Sequence, residues 1–356
     1  MIKTYTYKIK PNKKVEQKFN HFVGICRYLY NVSKELKEVS YRHGLKLSAY
    51  DIQKQLTDAK KEHTFLKEVH SQTLQAIIER LDNSFKKFFK GAGYPKWASK
   101  KRWKSIPFKS IKTTHNAFKL PSFGVVKVFK FKEPKGDLKT ATIIKEADGL
   151  YLKIVVDEYN SKVKNRDSQS VVALDMGIKF FTVTSDGEFV ENPKHLFKYL
   201  AELRVKQRKL SRMKKGGKNW IKQVNTVQRL HLKVKRCRLD FLQKQSTLLS
   251  NNYETVIVED LNIKGMFKNK RLSKHILDCG WGTFFSLLEY KTNVIKVNPR
   301  YSSQECSKCG HTCKENRPTQ GLFECVKCGF TENADFQATL NLFQRGQSLM
   351  EVNVNQ

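Results

Sequence analysis

Four of the eight cysteines form two Cys-x2-Cys pairs, Cys306 with Cys309 and Cys325 with Cys328, fifteen residues apart. Two knuckles of this kind place four thiolates at tetrahedral reach of one zinc ion. Gly310 and Gly329 follow the second cysteine of each pair, where a tight turn favours a residue without a side chain. Four protein thiolates leave no open position for water, so the spacing predicts a structural Zn2+. His311 and Cys313 stand nearby as substitute ligands or as bystanders in the ribbon loop. Clustered cysteines fit a metal site in a reducing compartment, not a disulfide framework.

Three carboxylates carry a second chemistry, and only as a set. Asp175 ends the apolar run VVALD, and Glu259 ends TVIVE. Asp335 falls in the first turn of the last predicted helix, where Asn333 can cap. Each acid alone reads as a strand end meeting solvent or as a helix cap. Acids at the ends of two adjacent buried strands, with a third on a helix packed against them, converge on one cluster. Repulsion and desolvation oppose its ionisation, and divalent cations relieve both. Two Mg2+ or Mn2+ ions ~3.5–4 Å apart would activate a water and stabilise the leaving 3′ oxygen of a phosphodiester. The order of strands and helix predicts an RNase H-like metal site. Asp260 should face away from it, because strand side chains alternate.

The hydropathy pattern indicates the elements that position these groups. Residues 2–10 alternate with the period of a strand. A helical period runs from Lys13 to His43. A second helix starts after Ser48, with Asp51 completing a cap, and a third from about Ser71. Residues 123–131 and 138–157 read as strands, with a hairpin turn at Asp148-Gly149. The polar stretch 158–169 reads as a linker between domains. Beyond it, VVALDMGI is a buried strand and FFTVTSDGEFV two strands about a turn. Residues 195–250 are helical, broken at Gly216-Gly217. A strand at 253–261, one helix over 273–291, a strand at 294–298 and a last helix from about Asn333 to Phe343 complete the pattern.

Lys and Arg number 68 against 33 Asp and Glu in 356 residues, a formal charge of +35. Such a chain repels itself unless a polyanion compensates, and nucleic acid is the default partner, ahead of an anionic membrane surface or a ribosome. With 39% hydrophobic residues it is neither disordered nor collagen-like. No run of ~18 apolar residues suits a membrane span, and the start has no apolar secretory region. A cytoplasmic protein without a membrane partner is expected, associated with the nucleoid when bound to DNA. Two tracts, 83–132 and 203–239, each hold 14 Lys or Arg and no acid. In the first, Lys86, Lys87, Lys90, Lys96, Lys100, Lys101, Arg102 and Lys104 suit phosphates, and Tyr94, Trp97 and Trp103 suit stacking on bases. The second offers Arg204, Lys206, Arg208, Lys209, Arg212, Lys214 and Lys215.

The order LDMGI, VIVEDLNIKGM, VNPRYSSQECSKCG, FECVKCG and NADFQATLNLF resembles the RuvC-like nuclease domain of the transposon-encoded TnpB (OrfB) proteins, relatives of type V CRISPR effectors. FLKEVHSQTLQAIIERLDNSFKKFF (65–89) and GYPKW (93–97) extend the resemblance over nearly the whole chain. It implies an α/β multidomain protein. Residues 1–169 would form a wedge-like β-barrel with a helical recognition insert at about 13–110. Residues 170–300 and 331–346 would form the RuvC-like nuclease, 301–330 the zinc ribbon and 347–356 a tail. The implied activity is RNA-guided, metal-dependent DNA endonuclease, with Asp175, Glu259 and Asp335 on the catalytic cations. The implied partners are a guide RNA copied from the end of the mobile element and double-stranded DNA beside a short motif. A guided regulator that does not cut, a strand-joining transposase and a CRISPR effector are the rivals; the intact triad favours the nuclease. Asn333 and Gln337 stand where many relatives have Asp and Asn, and the step from Glu289 to Val294 leaves almost no loop.

Overall fold

The computed structural model describes residues 2–158 and 170–354, and the chain divides into two compact units, Met1–Ser161 and Lys162–Gln356. The linker expected at 158–169 lies almost wholly outside the described residues.

The first unit runs β1 (Ile2–Lys8), α1 (Lys13–Arg42), α2 (Ala49–Glu62), α3 (Ser71–Phe89), β2 (Ser105–Phe108), β3 (Lys112–Thr114), β4 (Ala117–Leu120), β5 (Gly124–Lys127), β6 (Asp137–Glu146) and β7 (Gly149–Asp157). Its strands form an antiparallel sheet in the order β1-β7-β6-β2 and a second, β3-β4-β5. A bridge between Ile9 and Val128 joins the residue after β1 to the residue after β5. The three helices leave the sheet after β1 and return at β2. Ser48 and Asp51 cap α2 reciprocally, as their spacing predicts. Leu74, Ile77, Ile78 and Leu81 make one fully buried stripe of α3, packed in a common core with Ile106, Leu152 and Ile154. Each such side chain contributes about 1.5–3 kcal/mol by leaving water. The hairpin turn is Ala147-Asp148, one residue earlier than expected, since Gly149 at φ +140° already pairs with Glu146.

The second unit runs β8 (Val171–Met176), β9 (Phe180–Thr184), β10 (Phe189–Glu191), α4 (His195–Ser211), α5 (Lys218–Asn252), β11 (Thr255–Glu259), α6 (Ile263–Met266), α7 (Ser273–Cys279), α8 (Trp281–Glu289), β12 (Asn293–Val297), β13 (Leu322–Glu324), β14 (Thr331–Asn333) and α9 (Ala334–Val354). The main sheet has the order β10-β9-β8-β11-β12. β8, β11 and β12 are parallel, while β9 runs antiparallel to β8 and β10 antiparallel to β9. Val172, Leu174, Val256 and Val258 face one core, shared with Leu242, Trp281, Phe284 and Leu288. Ala173, Ile257 and Val297 face the other, shared with Leu342 of α9. β11 is therefore buried on both sides, as its unbroken apolar run requires.

Two further expectations change. The helix expected over 273–291 is two helices, because Gly280 takes a left-handed φ of +72° between them. A Cβ there would also press on Arg238 and Leu242 at 3.2 Å. The last helix continues to Val354, so most of the expected tail is helical. The short step after α8 does suffice: Lys291 and Thr292 both donate backbone hydrogen bonds to Leu288, and β12 enters in register with β11.

Candidate active site

Alternation and register place the first two acids. Asp175 shares the parity of Ala173, and Glu259 that of Ile257, so both lie on the face covered by α9. β8 and β11 pair in parallel through Leu174 and Val258, which brings the next residues, Asp175 and Glu259, side by side at the strand ends. Asp335 comes from the first turn of α9, started by Asn333, whose Oδ1 accepts hydrogen bonds from the Asp335 and Phe336 amides at 3.0 and 3.2 Å. All three acids line one open cleft of about 300 Å³. Asp260 is exposed and outside it.

The electrostatics follow from this crowding. Burial, and then the charge of Asp335, lift the Asp175 carboxyl to about 6. Burial, and then Asp175, lift Glu259 to about 8, against a hydrogen bond donated by Ser302 Oγ at 3.3 Å. Arg317 moderates the cluster: its Nη2 donates to Asp335 Oδ1 at 3.0 Å and to the Gln320 carbonyl at 2.8 Å. The donor set is all carboxylate, the chemistry that suits hard cations such as Mg2+ and Mn2+. Ser302, Arg317 and Gln320 line the cleft but carried no signal in sequence, because they approach from a loop and from the cysteine-rich segment.

The four predicted cysteines meet. Cys306 Sγ lies 3.7 Å from Cys328 Sγ, and Cys309 Sγ 3.6 Å from Cys325 Sγ, with all four ligand atoms within 4.8 Å. A tetrahedral zinc with bonds of ~2.3 Å has sulfur–sulfur edges of roughly 3.8 Å, so the cluster fits a single ion. Both knuckles turn alike: Gly310 and Gly329, at φ +71° and +68°, donate to the Cys306 and Cys325 carbonyls at 2.9 Å. Cys313 bonds instead to Glu315, and neither it nor His311 joins the cluster. Among the described residues no other group of three brings its ligand atoms as close. Asn316, fully buried, donates to the Gln304 and His311 carbonyls and accepts from the Val326 amide. It thereby ties the two knuckles together.

One face of α9 fixes this segment to the cleft. Gln337 Nε2 donates to the Glu305 carbonyl at 2.9 Å, and Ser307 Oγ donates to Gln337 Oε1 at 2.9 Å. Asn341 Nδ2 donates to the Ser302 and Glu305 carbonyls, each at 2.7 Å. Arg345 Nη1 donates to the Asn298 and Arg300 carbonyls, each at 2.8 Å.

The candidate nucleic-acid contacts divide. Lys86, Lys87, Lys90, Tyr94, Lys96, Trp97, Lys100, Lys101, Arg102 and Lys104 are exposed in the first unit. Trp103 is a correction: it packs on the core, its ring 4.9 Å from that of Tyr30 and 5.1 Å from the Arg80 guanidinium, so it is not presented to a base. In the second unit, Arg204, Arg208, Lys209, Arg212, Lys214 and Lys215 are exposed along α4 and the turn after it, and Lys206 is half-buried.

Among the described residues no helix is long and apolar enough to cross a membrane. Three family profiles match the chain. Residues 153–270 match the OrfB family of IS605 elements, described as "Probable transposase"; 281–342 match a "Cas12f1-like, TNB domain"; and 1–46 match a "Helix-turn-helix domain" of OrfB. In this chain that last segment is a strand and one continuous helix. The chain is 30% identical to the "Putative RNA-guided DNA endonuclease InsQ" of Escherichia coli K12, over 98% of this chain and 93% of that one. It is 29% identical to a "Putative RNA-guided DNA endonuclease" of Streptomyces pristinaespiralis, over 97% and 89%. Its fold is similar to Cas12f1 in a solved complex with sgRNA and target DNA, with TM-score 0.59 and 15% identity, over 96% and 98% of the two chains. The chain belongs to the TnpB (OrfB) family.

Proposed function

We propose that this protein is an RNA-guided DNA endonuclease of a mobile element, hydrolysing target phosphodiesters at Asp175, Glu259 and Asp335. The convergence of these three acids on one open cleft carries the reading. Three parallel strands extended on one edge by antiparallel β9 and then β10, with acids at adjacent strand ends, support an RNase H-like (RuvC) assignment for 170–300 and 331–346. In the same reading 301–330 is a zinc ribbon held by Cys306, Cys309, Cys325 and Cys328. The first 169 residues are a wedge-like barrel with a helical insert, gripping a guide RNA and motif-bearing DNA through the basic tracts.

Two divalent cations at the triad would neutralise the acids, lower the pKa of an attacking water and stabilise the departing oxygen. The chain's own residues prepare the site for this. Ser302 orients Glu259 by its hydrogen bond. Arg317, on the cleft wall beside Asp335, is placed to exchange that carboxylate for a phosphate oxygen of the substrate, a pairing its planar guanidinium suits. The open cleft admits a phosphodiester from a single strand, while base pairing with the guide reads the sequence.

The test is to purify the protein with co-expressed RNA, sequence that RNA, and offer matching plasmid DNA with Mg2+. Cleavage by the wild type, with loss of cleavage but retained RNA in the alanine variants of the three acids, is expected. A discrete RNA bound without any cleavage would turn the assignment to a guided regulator. Normal cleavage by any one variant would remove that residue from the site.

A further inference from the structure

A second cleft, of about 700 Å³, opens in the helical part of the first unit between the end of α1, the turn after it, the end of α3 and Tyr94. Its walls include Tyr41, Phe85, Phe88, Phe89 and Tyr94, with Arg42 and Lys46 at the side. Large apolar groups are left in water here: Phe89 is 75% exposed, Tyr41 65% and Tyr94 49%. Tyr94 is nevertheless held firmly. Phe85 and Phe88 meet its ring edge-on at 5.8 and 5.2 Å, and its hydroxyl donates to Glu38 Oε1 at 2.5 Å. Beneath it lies Lys34, only 2% exposed, its Nζ 5.1 Å from the Tyr94 ring and paired with Glu38. An exposed ring fixed by its neighbours loses little freedom on binding, which favours a ligand with a flat face.

Charge narrows the ligand. Among the described residues Glu38 is the one carboxylate lining the cleft, and Lys34 already neutralises it. Nearby Asp82 is taken by Lys37 and Lys86, at 2.6 and 3.0 Å. Arg42, Lys46, Lys87 and Lys90 are exposed cations on the flanking segments. A second copy docked through the same patch would oppose like charges across the symmetry axis. A nucleotide answers both features, its base against the rings and its phosphate against the cations. Within a duplex both base faces are covered, so the base must be unstacked.

We infer that this cleft binds an unpaired, splayed-out nucleotide of the guide RNA, with Phe89 and Tyr94 as the stacking faces and Arg42 and Lys46 at its phosphates. This rests on the RNA-guided reading and adds to it a site with named contacts, including Tyr41, Arg42 and Lys46, which sequence did not single out. The experiment uses the full chain with its co-purified RNA. Ultraviolet crosslinking and peptide mass mapping should place an adduct at Phe89 or Tyr94. In filter binding with that RNA, Phe89→Ala should weaken affinity roughly five- to 150-fold, with an unchanged melting point for the RNA-free protein, because the ring is exposed. Arg42→Gln should reduce the salt slope by ~0.7. Unchanged affinity in Phe89→Ala with no adduct would overturn the cleft assignment alone. A wild type that holds no discrete RNA would overturn the guided reading as well. If light scattering instead finds a dimer that Phe89→Ala dissociates, the patch is a self-association surface and the inference fails.

Discussion

Replacing Asp175 by Asn removes a charge that the fold opposes. Burial and Asp335 lift this carboxyl to about 6 from an ordinary 3.8. At about 1.4 kcal/mol per pKa unit, the ionised group costs the metal-free protein about 3 kcal/mol at neutral pH. Glu259, lifted to about 8, adds to the strain, but part of its shift is the charge of Asp175, so the two do not sum. In a unit of this size 1 kcal/mol moves the melting point by ~2–4 °C, so Asp175→Asn should raise it by roughly 6–12 °C in chelator at pH 7.5.

The pH dependence fixes the sign. Native Asp175 and Glu259 keep their protons above pH 4, where the unfolded chain has lost them. Stability present below about pH 4 is therefore lost progressively as pH rises through 6 and 8. Calorimetry on metal-free protein should show a lower melting point at pH 8 than at pH 5, with a smaller difference in the variant. Mg2+ should restore the wild type at pH 8 and have little effect on Asp175→Asn, which should not cut DNA. A variant that melts lower than the wild type, or keeps its full pH dependence, would refute the account of an electrostatically strained, cation-ready cleft.

Elemental analysis should find one zinc per chain, and Cys306→Ser should lose it and lower the melting point, since binding and local folding are coupled. Gly346→Ala should destabilise by about 1–3 kcal/mol despite the better helix propensity of Ala, because its Cβ would sit 2.2 Å from Ile257 Cδ1. Pairing it with Ile257→Ala should recover part of that loss, and a simple stabilisation by Gly346→Ala would contradict the close approach. Trp103→Ala should lower the melting point of the RNA-free protein, whereas exposed Trp97→Ala should not; equal effects would misplace one of the rings. Removing the charges of Lys100, Lys101 and Arg102 together should weaken binding to many RNA sequences alike, with the salt slope falling by ~0.7 for each phosphate left without its cation.

The candidate site residues were the most legible, for a physical reason. Thiolates at Cys-x2-Cys spacing and acids at the ends of apolar runs are local signals, and strand parity alone puts Asp175 and Glu259 on one face. The cap at Ser48 and the break at Gly216-Gly217 are equally local. What escaped the sequence depends on distant partners. Trp103 looked like its exposed neighbour Trp97 until Tyr30 and Arg80 covered its ring. The apolar stretch around Trp281 continues a helical pattern across Gly280, and only packing against Arg238 and Leu242 marks the break. Gly346 resembles a helix end, yet it is buried mid-helix, because α9 must pass close to Ile257.

The same helix also ties the cysteine cluster to the carboxylate cleft. Gln337, Asn341 and Arg345 recur every four residues and so share a face of α9. Their donors take the carbonyls of Asn298, Arg300, Ser302 and Glu305, the segment that joins β12 to the first cysteine knuckle. Ser302 of the same segment touches Glu259, and Asp335 starts the same helix. The first knuckle and Ser302, the Glu259 partner, are thus joined through one set of hydrogen-bonded backbone groups. The departure at Gln337 fits this geometry, since its amide meets the Glu305 carbonyl and the Ser307 hydroxyl at once. The departure at Asn333 is equally self-consistent, because a neutral amide oxygen caps the helix without adding a further negative charge beside Asp335. A zinc ion held by these four thiolates would then have a mechanical role, fixing one end of the loop whose other contacts reach Glu259 and α9.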